Sequence, residues 1–286
     1  MPAAARLREL IEGDEVVVAP GVFDGLSARL VEQAGFPAVY ASGGALARSG
    51  GLPDLGLLGL GEVVDRLRPI VEAVSIPVIA DADTGYGNAL NTRRAAQEFA
   101  RLGVAALHLE DQTFPKRCGH LDDKSLVPVE EMAQKLRAAG EALEGSGVVL
   151  IARTDAIAVE GLEAAFERAE RYGEAGADVL FVEAPESEAQ IEAIAERLPG
   201  PKLINMFQGG KTPLVPAGRL AELGYRIVII PSDLQRAAVW AMQRTLEAIG
   251  EDGSSAAQAE RMISFNEREE IVGTAGYLDL GERYGA

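Results

Sequence analysis

Short, uninterrupted apolar runs alternate along this chain with longer stretches whose apolar residues recur every three or four positions. The first pattern is that of strands buried on both faces, the second that of amphipathic helices. Residues 15–19, 38–42, 77–80, 105–109, 148–152, 179–182, 202–204 and 227–230 predict eight strands. Helices are predicted at the N-terminus and over 26–33, 61–73, 92–102, 129–144, 162–175, 187–197 and 217–223, with Gly35, Gly176 and Gly224 as stops. Strands that alternate with helices lie parallel, and eight is the number that closes a (β/α)8 TIM barrel. We expect one α/β barrel domain over 1–286, with 250–286 as a C-terminal helical extension. That end predicts a helix over 234–249, a flexible turn at 250–255, a helix over 256–270 and a polar, glycine-containing stretch from 272. A helix surplus to the barrel must find an apolar surface, such as a neighbouring subunit. A doubly wound open sheet is the competing architecture, but the glycine segment at 85–90 lacks the third glycine of a phosphate fingerprint.

In such a barrel the strand C-terminal ends converge on one face. They carry Ser42, Asp81, Asp83, Glu110, Arg153, Glu183, Asn205 and Ser232. Singly, Asp81, Asp83 or Glu110 could be a helix cap or a solvated loop acid. Together they are hard oxygen ligands on adjacent strands, and we expect them to hold a hydrated Mg2+ that chelates a 2-hydroxy or 2-oxo carboxylate. After Glu110, the segment Lys116, Arg117, Cys118, Gly119, His120 places two cations, a thiol and an imidazole side by side. A lone cysteine is commonly an inert packed thiol, but these neighbours are not core residues and favour reactivity. With an ordinary pKa near about 8.5, a thiol keeps its proton at neutral pH and can donate it to a carbanion. Arg153 would grip a carboxylate with its fork, with Glu183 beside it. Tyr40, Ser42, Gly43 and Gly44 would bind carboxylate through hydroxyls and backbone N–H groups. His108, set between leucines, is placed inside the barrel, orienting Glu110 or meeting substrate. The Gly-Gly-Lys-Thr-Pro run at 209–213 lacks the spacing of a P-loop and is expected to cover substrate.

Composition narrows the partners. The chain of 286 residues is 48% hydrophobic, enough for a sizeable core, and its formal net charge of -17 opposes binding to nucleic acid or anionic membranes. An anionic substrate then needs local positive charge, which Lys116, Arg117, His120 and Arg153 supply. The single cysteine excludes an internal disulfide framework and suits a reducing compartment. The N-terminus has mixed charge and no long apolar centre, and no run approaches a membrane span of about 18 residues. A cytoplasmic protein is expected.

Seven segments together resemble the isocitrate lyase and phosphoenolpyruvate mutase superfamily over nearly the whole chain. They are Tyr40 to Gly44, Gly51 to Asp54, Asp81 to Gly87, Leu107 to Gln112, Lys116 to His120, Ala152 to Ala156 and Phe181 to Pro185. The resemblance implies an α/β barrel, a homotetramer with the last helix swapped between partners, Mg2+, and 2-oxo or 2-hydroxy acid substrates. It puts the metal at Asp81 and Asp83 with Glu110 nearby, and the general acid at Cys118, since the Lys-Arg-Cys-Gly-His loop is similar to that of the carbon-carbon lyases. Substrate contacts are implied at Ser42, Gly43, Gly44, Asp54, Arg153, Glu183 and Asn205, and the loop adds Lys116, Gly119 and His120. The segments around Glu183 and Asn205 are closer to 2,3-dimethylmalate lyase-like members than to methylisocitrate lyase, and Gln208 stands where that branch has an acid. The expected reaction is Mg2+-dependent cleavage of a 2-hydroxy di- or tricarboxylate to a 2-oxo acid such as pyruvate plus a carboxylate. Tyr40, Glu110 or a metal-bound water would be the base. Oxaloacetate decarboxylation, carboxyphosphonoenolpyruvate mutase chemistry and non-catalytic dicarboxylate binding are the alternatives.

Overall fold

The computed structural model describes residues 1–119 and 123–285. Eight strands follow one another around a closed barrel: β1 (Val17–Val22), β2 (Val39–Ala41), β3 (Val78–Asp81), β4 (Ala106–Glu110), β5 (Val149–Thr154), β6 (Val179–Val182), β7 (Lys202–Asn205) and β8 (Tyr225–Ile230). Each is parallel to the next, and β8 closes on β1 through the pairing of Val17 with Ile227. The expected (β/α)8 TIM barrel is therefore the fold. The helices are α1 (Ala3–Glu12), α2 (Gly25–Gln33), α3 (Gly43–Ser49), α4 (Leu60–Ala73), α5 (Ala89–Leu102), α6 (Val129–Leu143), α7 (Leu162–Glu174), α8 (Glu188–Arg197), α9 (Ala217–Glu222), α10 (Asp233–Asp252), α11 (Phe265–Val272) and α12 (Thr274–Tyr284). None is long and apolar enough to cross a membrane among the described residues.

The strands are apolar on both faces because each face has its own core. Alternate side chains belong to two buried clusters, as a period of two requires. Tyr40, Ile79, Ile151, Phe181, Leu203 and Ile229 fill the barrel, joined by Leu7 and Ile11 of α1. Val39, Val78, Leu107, Leu150, Leu180 and Val228 pack instead with Leu67, Ile70, Phe99, Met132 and Phe166 of the surrounding helices. Burying each large aliphatic side chain contributes about 1.5–3 kcal/mol.

Five segments depart from the sequence expectation. β1 runs past Pro20 to Val22 because β2 and β8 supply partners there. At Gly21 the backbone lies so close to Pro231 that a Cβ would stand 2.3 Å from its carbonyl oxygen. The short α3, hidden in the sequence by its leading Gly43-Gly44, starts where the Ser42 hydroxyl accepts the Ala45 N–H. At the far end, α10 continues to Asp252 and stops only at left-handed Gly253. The helix expected over 256–270 divides into a 3-10 turn and α11, because Ser264 and Glu267 form a capping box. The polar, glycine-containing stretch from 272, for which no helix was expected, contains α12.

Candidate active site

The turn that follows β3 brings the first two acids together. Asp81 accepts N–H bonds from Gly43 on Oδ2 and from Asp83 on Oδ1, both at 3.0 Å. Asp83 is held at φ 46°, a left-handed conformation that a short polar side chain tolerates better than most. Gly43 cannot be larger, since its Cβ would stand 2.9 Å from Asp81 Oδ2. Beneath Asp81, Tyr40 Oη lies 2.7 Å from His108 Nε2 and 3.4 Å from Asp81 Oδ2, and the same imidazole nitrogen is 3.4 Å from Asp81 Oδ1. The His108 ring stacks on Tyr40 and meets the edge of Phe181. Burial pushes the His108 pKa down, leaving a neutral ring able to accept a proton at Nε2. Burial and Asp81 together raise Tyr40 well above a normal phenol, so it sits as a neutral hydroxyl.

The environments of the two aspartates differ. Burial works against ionisation of Asp81, but His108, Lys116 and Arg153 bring it down to about 2. Burial and Asp81 push Asp83 up to about 6, although Lys116 Nζ sits 2.8 Å from its Oδ1. Lys116 also reaches Asp54 Oδ1 at 2.5 Å, tying the segment after β4 to the one after α3. Burial also raises Glu110 well above a normal carboxylate, and its Oε1 is buried without a hydrogen-bond partner among the described residues.

At the end of β5, Arg153 is pinned by Asp155, with Nε to Oδ2 at 2.9 Å and Nη2 to Oδ1 at 3.0 Å. Its Nη1 lies 3.3 Å from Glu110 Oε2, and the guanidinium stands over the Phe181 ring. Asn205 Nδ2 donates to Glu183 Oε1 at 3.2 Å. The segment after β4 returns on itself. Gln112 pairs with Leu126 and grips Arg117 through both its amide atoms. That grip presents half-buried Cys118 toward the barrel mouth.

A cavity of about 300 Å³ at the strand C-terminal ends is lined by Tyr40, Ser42, Gly44, Asp54, Asp81, Lys116, Cys118, Gly119, Arg153, Glu183 and Asn205. These eleven residues were singled out from the sequence as site residues, and Gln208, Gly209 and Ser232, also named from the sequence, line the cavity with them. Gly43, Asp83 and Glu110 do not line it; they lie behind it, Gly43 through its bond to Asp81 and Asp83 through Lys116. His120 falls outside the described residues. Among those described, no three His, Cys, Asp or Glu stand gathered as a ready metal centre. A hydrated Mg2+, however, needs only one or two direct carboxylates. Asp81 and Asp83 could provide them, and the unpartnered Glu110 Oε1 could accept from the hydration shell.

The sequence did not point to Arg48, Gln235 or Arg236, which also line the cavity. Arg48 stands on the unforeseen α3, and Gln235 and Arg236 belong to the first turn of α10. Nor did it reveal Lys124, which donates to Asp155 Oδ1 at 2.8 Å and to the Gly119 carbonyl. Side chains at the first turn after a barrel strand point to the mouth, which was the available signal for Gln235 and Arg236.

Acids, a held arginine and a thiol around one barrel mouth define the chain as an α/β-barrel protein with the makings of a small-carboxylate site. It belongs to the phosphoenolpyruvate phosphomutase family, which matches residues 7–250. It is 41% identical over 285 residues to the 2,3-dimethylmalate lyase of Eubacterium barkeri, with 99% of each chain covered. It is 43% identical over 276 residues to the 2-methylisocitrate lyase of Bacillus subtilis (strain 168), covering 96% of this chain and 90% of that protein. A crystal structure of 2,3-dimethylmalate lyase, a member of the PEP mutase/isocitrate lyase superfamily, matches with a TM-score of 0.94 at 38% identity, covering 100% of this chain and 96% of that one. The resemblance drawn from the motifs is borne out.

Proposed function

We propose that this protein is a Mg2+-dependent carbon-carbon lyase. It cleaves a 2-hydroxy di- or tricarboxylate, methylisocitrate- or 2,3-dimethylmalate-like, to a 2-oxo acid such as pyruvate and a second carboxylate. The observation that carries the reading is that Tyr40, Arg153 and Cys118 line one cavity: a proton acceptor, a carboxylate grip and a proton donor. When bound at Asp81 and Asp83, Mg2+ would supply Lewis-acid stabilisation of negative charge on the substrate oxygens.

Arg153, locked in the plane of Asp155, offers Nη1 to a substrate carboxylate, while the Gly44 N–H and the Ser42 hydroxyl, both at the cavity wall, are placed for another oxygen. Tyr40 takes the 2-hydroxyl proton as its own moves to neutral His108 Nε2, a relay set by the 2.7 Å contact. Breaking the carbon-carbon bond turns the 2-carbon into a carbonyl and leaves its electron pair on the departing carbon, beside the second carboxylate. The Cys118 S–H protonates that carbon and becomes a thiolate. After release, solvent carries the proton from the Tyr40–His108 pair back to the sulfur.

Glu110 is less suited to be the base, because it does not line the cavity and Arg153 already engages it. The thiol is what protonation of a separate fragment requires and simple decarboxylation of oxaloacetate does not. Candidate 2-hydroxy acids assayed for 2-oxo acid release, with Mg2+ and with EDTA, test the proposal. Cleavage that EDTA abolishes is expected. CO2 from oxaloacetate alone points to a decarboxylase, and binding without product to a dicarboxylate binder. Cys118→Ser should lower kcat by about 10²–10⁴ with KM little changed; unchanged turnover removes the thiol from the mechanism. We further propose that the protein works in the cytoplasm as a homotetramer with its C-terminal helix exchanged. The uncovered apolar faces of α10 to α12 and the lone cysteine support that picture.

A further inference from the structure

Lys124 is the most deeply placed lysine of the site region, its side chain 1% exposed, yet it does not line the cavity at the barrel mouth and belongs to no motif. A buried ammonium is costly unless paired and hydrogen-bonded. Here it has two partners that matter to chemistry. One N–H goes to Asp155 Oδ1, the oxygen that also receives Arg153 Nη2. Another goes to the carbonyl of Gly119, the residue next to Cys118. Gly119 itself lies flat against the arginine: a Cβ there would stand 2.3 Å from Arg153 Nη2 and 2.8 Å from Glu183 Cγ. Asp155 is fixed from behind as well, since its N–H donates to Asp111 Oδ1 at 2.9 Å.

We infer that Lys124 is a positioning residue, a bolt that fastens the Cys118-bearing segment onto Arg153 by joining the Gly119 carbonyl to Asp155. The inference deepens the lyase reading and takes from it only that Cys118 and Arg153 face one substrate. Without the ammonium, the Gly119 carbonyl loses its donor, and Asp155 keeps a single cation that is then free to tilt. Thiol and guanidinium would fall out of register together.

Cys118 is the only cysteine of the chain, so alkylation by iodoacetamide, followed by intact mass, reports on that segment alone. Calorimetric titration of oxalate in the presence of Mg2+ reports on the Arg153 side, oxalate being a planar dianion like the enolate of a 2-oxo acid. Lys124→Met is expected to alkylate about tenfold faster than the unmodified protein and to bind oxalate about tenfold more weakly. Lys124→Arg, which keeps the charge and the donors, should return both to within about threefold. A purely structural lysine would lower the melting temperature and move neither quantity below it. Folded Lys124→Met that alkylates at the original rate overturns the inference, and so does faster alkylation with oxalate affinity unchanged. If Lys124→Met does not fold, Lys124→Gln gives the same two readouts with the same overturning results. Neither measurement needs turnover, so a failed lyase assay leaves this test standing.

Discussion

Gly119 has no room for a methyl group. The nearest atoms to a Cβ are Arg153 Nη2 at 2.3 Å and Glu183 Cγ at 2.8 Å, and both belong to side chains held by other bonds, so neither yields freely. Overpacking of this kind costs about 1–3 kcal/mol, and here it falls on the contact between loop and arginine rather than on the core. Gly119→Ala is therefore expected to lower kcat/KM by about tenfold or more while the melting temperature stays within a few degrees. A matched loss of melting temperature would show that the cost is spread through the barrel. At this scale, the groups legible in the sequence were those whose chemistry announces them. Asp81 and Arg153 are ionisable residues at the ends of apolar runs, and Cys118 is a thiol among cations. Lys124, Arg48 and Arg236 were not legible, because a lysine or arginine in a polar stretch is ordinarily solvated and only its three-dimensional partner distinguishes it. His108 lay between: its alternation with leucines placed it inside the barrel, but its contact with Tyr40 depends on the β2–β3–β4 register.

Among the elements, the junction after β5 gathers buried charges of both signs. Burial opposes ionisation of Asp155, but Arg153 and Lys124 hold its carboxyl well below the usual range. A depressed pKa in the folded state means that the unfolded chain takes up the proton first as pH falls. The stability Asp155 contributes is therefore complete at neutral pH, begins to fade near the unfolded value of about 3.9, and continues to fall toward the folded value. Asp155→Asn leaves two buried cations short of a counter-charge, which costs about 3–5 kcal/mol. Urea unfolding at pH 7 should show that loss, and the gap between variant and parent should narrow as the pH is lowered below about 4. A gap independent of pH would mean that the carboxylate is not ionised in the fold. The element pattern explains what could be foreseen here: a buried parallel strand followed by polar residues is a strong signal, and seven of the eight strands carried it, β1 running instead into Pro20 and Gly21. Short α3 and the last helix, α12, gave no such signal, the first because two glycines open it, the second because it buries no residue within the chain and so shows no apolar stripe turned toward the barrel.

At the scale of the whole molecule, α10 leaves the barrel with most of its own surface uncovered. This helix has 20 residues, so it extends about 30 Å, yet buries only Ala248. Trp240 is 56% exposed and Leu246 65% exposed, with Val239, Met242 and Ile249 beside them, and α12 adds Tyr277, Leu278 and Tyr284. Contiguous apolar surface on this scale marks a protein interface, and in the proposed homotetramer it is the surface that the exchanged helices cover. Charge sets the conditions. Each subunit carries a formal -17, so association works against repulsion that salt screens over roughly 8–10 Å at physiological strength. Sedimentation should therefore give about four times 30.2 kDa, with dissociation favoured at low salt and resisted at high salt, the reverse of an assembly held by ion pairs. Trp240→Glu combined with Leu246→Glu places new charge in the apolar contact and should yield monomers whose far-ultraviolet dichroism remains that of an intact barrel, because neither side chain reaches the barrel core. A parent protein that sediments near 30.2 kDa at every salt concentration would refute the assembly and leave these faces to some other partner.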